Sequence, residues 1–204
     1  MSALEIVAGA TDHYGRAELV TLAARNGAPV LLDRRTAALI DPSLPGAPYH
    51  HEALELDLAA ATELVDRVRR SVAEFAQAAI SELVASHGVQ ALILPESPYA
   101  ELPASLSDVL SSRPLTNAAD GMLYRETLAE AAAAQGLVVE RYARKTDPTG
   151  LAADALDVDV PTVEVEIARM GQEVGPPWRK DHKRAAAAAL SLLGPLIRLG
   201  RSRA

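Results

Sequence analysis

The chain has 204 residues, a mass of 21.5 kDa and a net charge of −7, with 49% hydrophobic residues and no cysteine. This length and apolar content suit one domain with a sizeable core, and the lack of cysteine excludes disulfides, thiolate zinc sites and cysteine nucleophiles. The N-terminus lacks a signal-peptide pattern and no apolar run is long enough to span a bilayer, so we expect a cytoplasmic protein without a membrane partner.

The first 51 residues are typical of short antiparallel strands. Asn26-Gly27 favours a tight hairpin turn, because this pair accepts the positive φ angles that such a turn requires. Strands are predicted at residues 4–10, 17–24 and 30–35, followed by an ordered, proline-rich loop over 41–51.

The middle of the chain predicts one long helix and a parallel strand unit. Apolar residues recur at steps of three and four over 57–86, and Gly88 suits the end of that helix. The apolar runs 89–94 and 137–142 enclose a helix predicted over 117–135. Because ligands of parallel sheets bind beyond the carboxyl ends of the strands, Glu96 is a candidate site residue.

The C-terminal quarter combines an acidic and a basic segment. Residues 147–161 predict a mobile, acidic, loop-like insertion, and 162–172 a short helix, with a strand as the alternative. An alanine-rich final helix is predicted over 179–193, and 198–204 form a basic tail. Residues 179–204 carry a net charge of +6, which leaves −13 for the rest of the chain. Such a basic end can serve an anionic partner, but cations near the last carbonyls of a helix, followed by a frayed basic tail, are the more common explanation.

The order of these elements resembles the ribonuclease H-like superfamily, and within it the RuvC-type Holliday-junction resolvases. Four segments carry the resemblance: IVAGATDHYG for the first strand, LILPESP for the fourth strand ending in an acid, ETLAEAAAAQGLVVERY for the next helix and strand, and IARMG with PPWRKDHKRAAAAAL for the closing helices. The resemblance implies a single α/β domain over residues 1–204. Its mixed five-stranded sheet has three antiparallel strands and then parallel crossovers, flanked by helices.

The resemblance also implies a metal site. That family uses carboxylates from the first strand, the fourth strand and the last helix to hold Mg²⁺ or Mn²⁺ for phosphodiester hydrolysis. Asp12, Glu96 and Asp181 are therefore the expected metal ligands, and together with His182 the expected catalytic residues. The chain departs from the pattern twice. The first-strand acid falls nearest Thr11, one residue before Asp12. His182 is followed three residues later by alanine, where the family has aspartate.

Three further histidines are candidates for a metal or phosphate site: His13, His50 and His51. His13 adjoins Asp12, and the other two precede the long helix. The alternative is that these are ordinary polar loop residues, and that Asp12 and Asp181 stabilise a turn and a helix start.

Two classes of function remain open, and whether the chain is an enzyme remains open with them. The first is a nucleic-acid-binding protein of the resolvase kind, active as a metal-dependent endonuclease if its site is intact. The second is a catalytically degenerate scaffold or small-molecule-binding protein that acts as an oligomer. In either case we expect a homodimer, because helix 57–86 is longer than one sheet needs and alanine faces such as that of 179–193 permit close helix contact.

Overall fold

A five-stranded mixed sheet forms the centre of the protein, for which a computed structural model describes residues 5–199. The strand order is β3-β2-β1-β4-β5, with β1 antiparallel to β2, β2 antiparallel to β3, and β1, β4 and β5 mutually parallel. The strands are β1 Ile6–His13, β2 Arg16–Arg25, β3 Ala28–Ala38, β4 Ala91–Pro95 and β5 Val138–Tyr142. This confirms the predicted fold class and strand directions.

Six α-helices lie among the described residues. They are α1 Leu58–His87, α2 Leu106–Leu110, α3 Arg113–Ala134, α4 Pro148–Leu156, α5 Val160–Val174 and α6 Lys180–Leu193. The long helix was predicted almost to the residue, because its start and end are both marked locally. Asp57 accepts a hydrogen bond from Ala60 N, and Gly88 adopts the left-handed conformation. Of the predicted basic tail, residues 200–204 lie outside the described part of the chain, as does the start of the first predicted strand.

Each face of the sheet has its own helix layer, because side chains alternate between the two faces of a strand. On β1, Ala8 and Ala10 pack against α1 and α3, while Val7 packs with α4, α5 and α6. The backbone of α6 lies directly on the sheet at Gly9, where a Cβ atom would sit 1.9 Å from the carbonyl oxygen of Ala185. This alternation decides which helix each side chain at the end of β1 meets.

The segment 147–161 was expected to be loop-like, and that prediction was wrong. Residues 148–156 form α4, whose buried Ala152, Ala153 and Leu156 belong to the core beneath α6. Asp147 accepts a hydrogen bond from Thr149 N at the helix start, so an acidic residue that suggested a loop is a cap. The following segment is the helix α5, which excludes the strand alternative.

The alanine face of α6 is buried within the chain. Ala185 to Ala189 are all inaccessible to solvent, and the helix packs on β1, β2 and α4. This face therefore cannot also serve the expected dimer, and of the two helices considered only α1 remains available. Within residues 5–199, none of the helices combines the length and apolarity needed to cross a membrane.

Candidate functional site

A cluster of polar side chains lies at the carboxyl ends of β1 and β4, and Asp12 and Arg125 form its centre. Both carboxylate oxygens of Asp12 accept hydrogen bonds from Arg125, at 2.9 Å from Nε and 3.0 Å from Nη2. The side chains are only 5% and 13% exposed. Nη1 of Arg125 donates to the backbone carbonyl of Glu96 at 2.9 Å. One guanidinium thus joins the ends of two adjacent parallel strands.

The direction of the Asp12 side chain follows from its position on β1. Thr11 faces α6 and its hydroxyl donates to the carbonyl of Asp181 at 3.3 Å. Asp12, one residue later, faces the opposite side of the sheet and meets Arg125 on α3. Asp12 comes one residue after the position expected from the family pattern, so its side chain lies on the face of the sheet opposite to the start of α6.

Glu96 lies at the end of β4, as predicted from the sequence. Its backbone N–H donates to the carbonyl of Tyr142 at 2.8 Å, so the strand pairing with β5 continues up to it. Its side chain is exposed to solvent. Asp12 and Glu96 do approach the same edge, but Arg125 connects them through the backbone of Glu96.

Asp181 and His182 are neighbours on α6, but their side chains contact different parts of the structure. Asp181 lies near the end of β1, where its Oδ2 is 3.1 Å from Nε2 of His13, although the approach is not aligned as a hydrogen bond. His182 is buried instead against β2. Its Nε2 lies 2.9 Å from Oε2 of Glu18, and its Nδ1 accepts a hydrogen bond from Arg179 N. The structure thus places His182 away from the cluster to which the sequence assigned it.

A second arginine that the sequence interpretation missed completes the cluster. Arg184 follows Asp181 by three residues, the spacing at which the resembled family has its second helix carboxylate. Burial raises the pKa of the Tyr142 hydroxyl, and the nearby charges of Arg184 and Arg125 oppose this shift, whereas that of Asp12 adds to it. Asp12, Arg125 and Arg184 therefore all act on one buried tyrosine at the end of β5.

His50 and His51 lie beside helix α3. Nδ1 of His50 is 2.7 Å from the buried carboxylate of Asp120, and the ring centroid of His51 lies 3.9 Å from that of His50. Asp120 carried no signal in the sequence, since it reads as an ordinary polar residue of a helix.

Exposed cations border this edge of the sheet. Arg144 and Lys145 follow the end of β5, and Arg179, Lys180 and Lys183 surround the start of α6. The whole chain carries a net charge of −7. Exposed cations that are close together in the sequence can still attract polyanions when the whole protein is negative.

The side chains present do not fit a divalent metal ion. In the described range 5–199, no three His, Cys, Asp or Glu side chains come together in a group that could hold one. Both oxygens of Asp12 are already used by a permanently charged guanidinium. A cation that prefers carboxylate oxygens would have to displace Arg125 first.

Comparison with known proteins supports the fold. No family model and no curated protein matches the chain. Among solved structures, Thermus thermophilus RuvC matches with a TM-score of 0.52 and 16% identity, over 94% of this chain and 96% of that one. T. thermophilus RuvC in complex with Holliday junction substrate matches with a TM-score of 0.55 and 14% identity, over 96% and 98%. The chain therefore has a RuvC-like, ribonuclease H-like fold, and identities this low support the fold alone.

Proposed function

We propose that this chain is a RuvC-like protein that binds nucleic acid through the phosphate backbone, without a catalytic metal ion. One observation carries the proposal: the nearly buried carboxylate of Asp12 accepts two hydrogen bonds from Arg125, one from Nε and one from Nη2. A guanidinium in this place neutralises the carboxylate and stays charged at every physiological pH. It therefore takes over the electrostatic part of what a metal would do there.

The exposed cations supply the contacts with phosphate. Arg144, Lys145, Lys180 and Lys183 stand on both sides of the cluster, after β5 and at the start of α6. Each phosphate that such a residue neutralises releases counterions, so binding should weaken steeply as salt rises. A solved structure with this fold is described in complex with a Holliday junction substrate, which makes a four-way DNA junction the first probe to test. A nucleic-acid partner also suits the cytoplasmic location expected from the sequence.

A metal-dependent endonuclease is the second candidate, with Asp12, Glu96 and Asp181 as ligands of Mg²⁺ or Mn²⁺. It is favoured by the exposed side chain of Glu96 and by the position of Asp181, which both reach the edge where Asp12 lies. It requires Arg125 to release Asp12. It does not include His182, which is paired with Glu18 in the interior.

The test measures binding and cleavage together. We expect the protein to bind a four-way DNA junction in EDTA, and to cleave it in neither Mg²⁺ nor Mn²⁺. Replacing both Arg144 and Lys145 with alanine should weaken binding and reduce the slope of log K against log salt by about 2, since each phosphate contact contributes roughly 0.9. Arg25→Ala is the matched control, because Arg25 is an exposed arginine at the last residue of β2, which lies at the edge of the sheet away from the Asp12–Arg125 pair.

Two results would count against the proposal. No binding of duplex or junction at low salt would refute it. Mg²⁺-dependent cleavage by the wild type that disappears in Glu96→Gln would refute it in favour of the endonuclease, because the amide keeps the shape of the side chain and loses its charge.

We also propose that the chain forms a homodimer through α1. Three exposed leucines lie at or just before the start of this helix: Leu54, Leu56 and Leu58. The alanines of α6 are buried within the chain and are not available as an interface. Light scattering should give twice the mass of one chain, and Leu58→Glu should reduce it to a monomer. A monomer mass for the wild type across a wide concentration range would contradict this proposal.

A further inference from the structure

A buried carboxylate on α3 fixes the position of one histidine ring at the protein surface. Asp120 is 0% exposed and accepts hydrogen bonds from Tyr49 N at 3.0 Å and His50 N at 3.1 Å. The ring nitrogen Nδ1 of His50 lies 2.7 Å from the same carboxylate. The two backbone bonds already attach the loop to the helix, so the third contact adds orientation of the ring itself.

This contact also decides which ring nitrogen carries the proton. An ionised carboxylate accepts hydrogen bonds and cannot donate one, so the Nδ1 of His50 bears a hydrogen while Asp120 is ionised. In the neutral ring, Nε2 then has its lone pair and can accept a hydrogen bond. The His50 side chain is 15% exposed, which leaves part of it within reach of a ligand.

Two further rings stand beside His50. The exposed ring of His51 lies with its centroid 3.9 Å from that of His50, and the centroid of Tyr14 lies at 6.0 Å. Tyr14 is 45% exposed in the turn between β1 and β2, two residues beyond Asp12. The rings therefore border the same edge of the sheet as the Asp12–Arg125 pair.

We infer that Tyr14, His50 and His51 form a binding site for an unpaired nucleobase. The inference rests on the proposed function and adds a substrate class to it: nucleic acid with at least one unstacked base. Every base has an aromatic face that stacks on tyrosine or histidine. A base within a duplex has both faces covered by its neighbours, so only an unpaired base reaches the rings.

The stacking site adds a preference among bases. A purine presents a larger aromatic face than a pyrimidine, and base preferences at such sites come from stacking strength. An unpaired adenine should therefore bind better than an unpaired thymine.

The experiment uses the intact protein and four DNA duplexes that differ at one position. One is fully paired, and the others carry a single bulged adenine, a bulged thymine or a bulged abasic residue. We expect the adenine bulge to bind at least about 5-fold more tightly than the abasic bulge, which is the lower end of what stacking on one aromatic side chain contributes. Thymine should lie between them. A 2-aminopurine at the bulge should lose fluorescence on binding, as a stacked base does.

Variants then assign the effect to the rings. Tyr14→Ala and His51→Ala should each reduce the preference for the adenine bulge over the abasic bulge, and Tyr14→Phe should retain it because the ring remains. His87→Ala is the matched control, since it removes an imidazole at the far end of α1 and should leave the preference unchanged.

The outcomes separate the inference from the function on which it rests. If all four duplexes bind equally, or if Tyr14→Ala keeps the full preference, the base site is overturned and phosphate-backbone binding stands. If none of the duplexes binds at low salt, the proposed function fails, and the base site fails with it.

Discussion

Removing Arg125 should destabilise the protein more than removing any arginine at the surface. Arg125→Ala leaves the carboxylate of Asp12, which is only 5% exposed, without the two donors that hold it. Breaking a buried ion pair by deleting one partner costs about 3–5 kcal/mol, because the remaining charge is desolvated and unpaired. For a domain of this size, that loss corresponds to a fall of roughly 6–20 °C in melting temperature.

Urea unfolding followed by circular dichroism measures the loss directly. Arg141→Ala is the control, because Arg141 lies nearby on β5 and pairs with Glu126 in a partly exposed position. Its removal should cost about 1 kcal/mol or less, as exposed ion pairs do. The double variant Asp12→Ala/Arg125→Ala should be more stable than Arg125→Ala alone, since it removes the stranded charge as well.

Magnesium provides the decisive second measurement. In Arg125→Ala the oxygens of Asp12 are open to a cation, so millimolar Mg²⁺ should raise the melting temperature of this variant and leave that of the wild type unchanged. If Arg125→Ala costs no more than Arg141→Ala, the pair is a loose surface contact and our account of the site is wrong. A Mg²⁺-dependent rise in the wild type would refute it equally.

Three further substitutions test the packing and the buried carboxylate. Gly9→Ala should lower the free energy of unfolding by about 3 kcal/mol or more, because the new Cβ would lie 1.9 Å from the carbonyl oxygen of Ala185 and the backbone would have to move. Gly121→Ala on α3 meets no atom within 4 Å, so it should raise the free energy of unfolding by roughly 0.5–1 kcal/mol. Thermal melts measure both changes. Burial raises the pKa of Asp120 above its ordinary value of 3.8, against the hydrogen bonds from His50. The folded state therefore holds this proton more tightly, and its contribution to stability declines as pH rises from about 4 through the raised pKa. Asp120→Asn should remove that decline, and equal pH profiles of the two proteins in urea unfolding between pH 4 and about 7 would contradict the raised pKa.

The sequence predicts the sheet and the long helix because their signals are local. Asp57 and Gly88 mark the two ends of α1, and Asn26-Gly27 marks the hairpin between β2 and β3. Helix α4 escaped prediction for a related reason. Its acidic residues resemble those of a loop, while the burial of Ala152 and Leu156 that stabilises it depends on contact with the distant helix α6.

The candidate site was harder to predict, because it depends on contacts between residues that are distant in the sequence. The sequence places Glu96 at the end of a strand, and the structure agrees. The sequence did not show that Asp12 turns towards α3, because the first strand was predicted only to residue 10, whereas β1 continues to His13 and alternation along it sets the direction of Asp12. The partner, Arg125, is 113 residues away in the sequence, and nothing in its own neighbourhood distinguishes it from a solvated arginine. The position of His182 depends on a distant partner in the same way, since Glu18 belongs to β2 and is far from it in the sequence.

Under the proposed function, Arg125 takes the place of a metal ion, and this separates two tasks that a metal performs together. A divalent metal neutralises negative charge and also lowers the pKa of a bound water, which supplies the nucleophile for hydrolysis. A guanidinium performs the first task, but it has no coordination position for water and stays protonated at physiological pH. Because Asp12 cancels the charge of Arg125 and this arginine is only 13% exposed, the attraction for phosphate has to come from exposed cations such as Arg144 and Lys145. Under this proposal the Asp12–Arg125 pair ionises no water, so binding without cleavage is the expected behaviour.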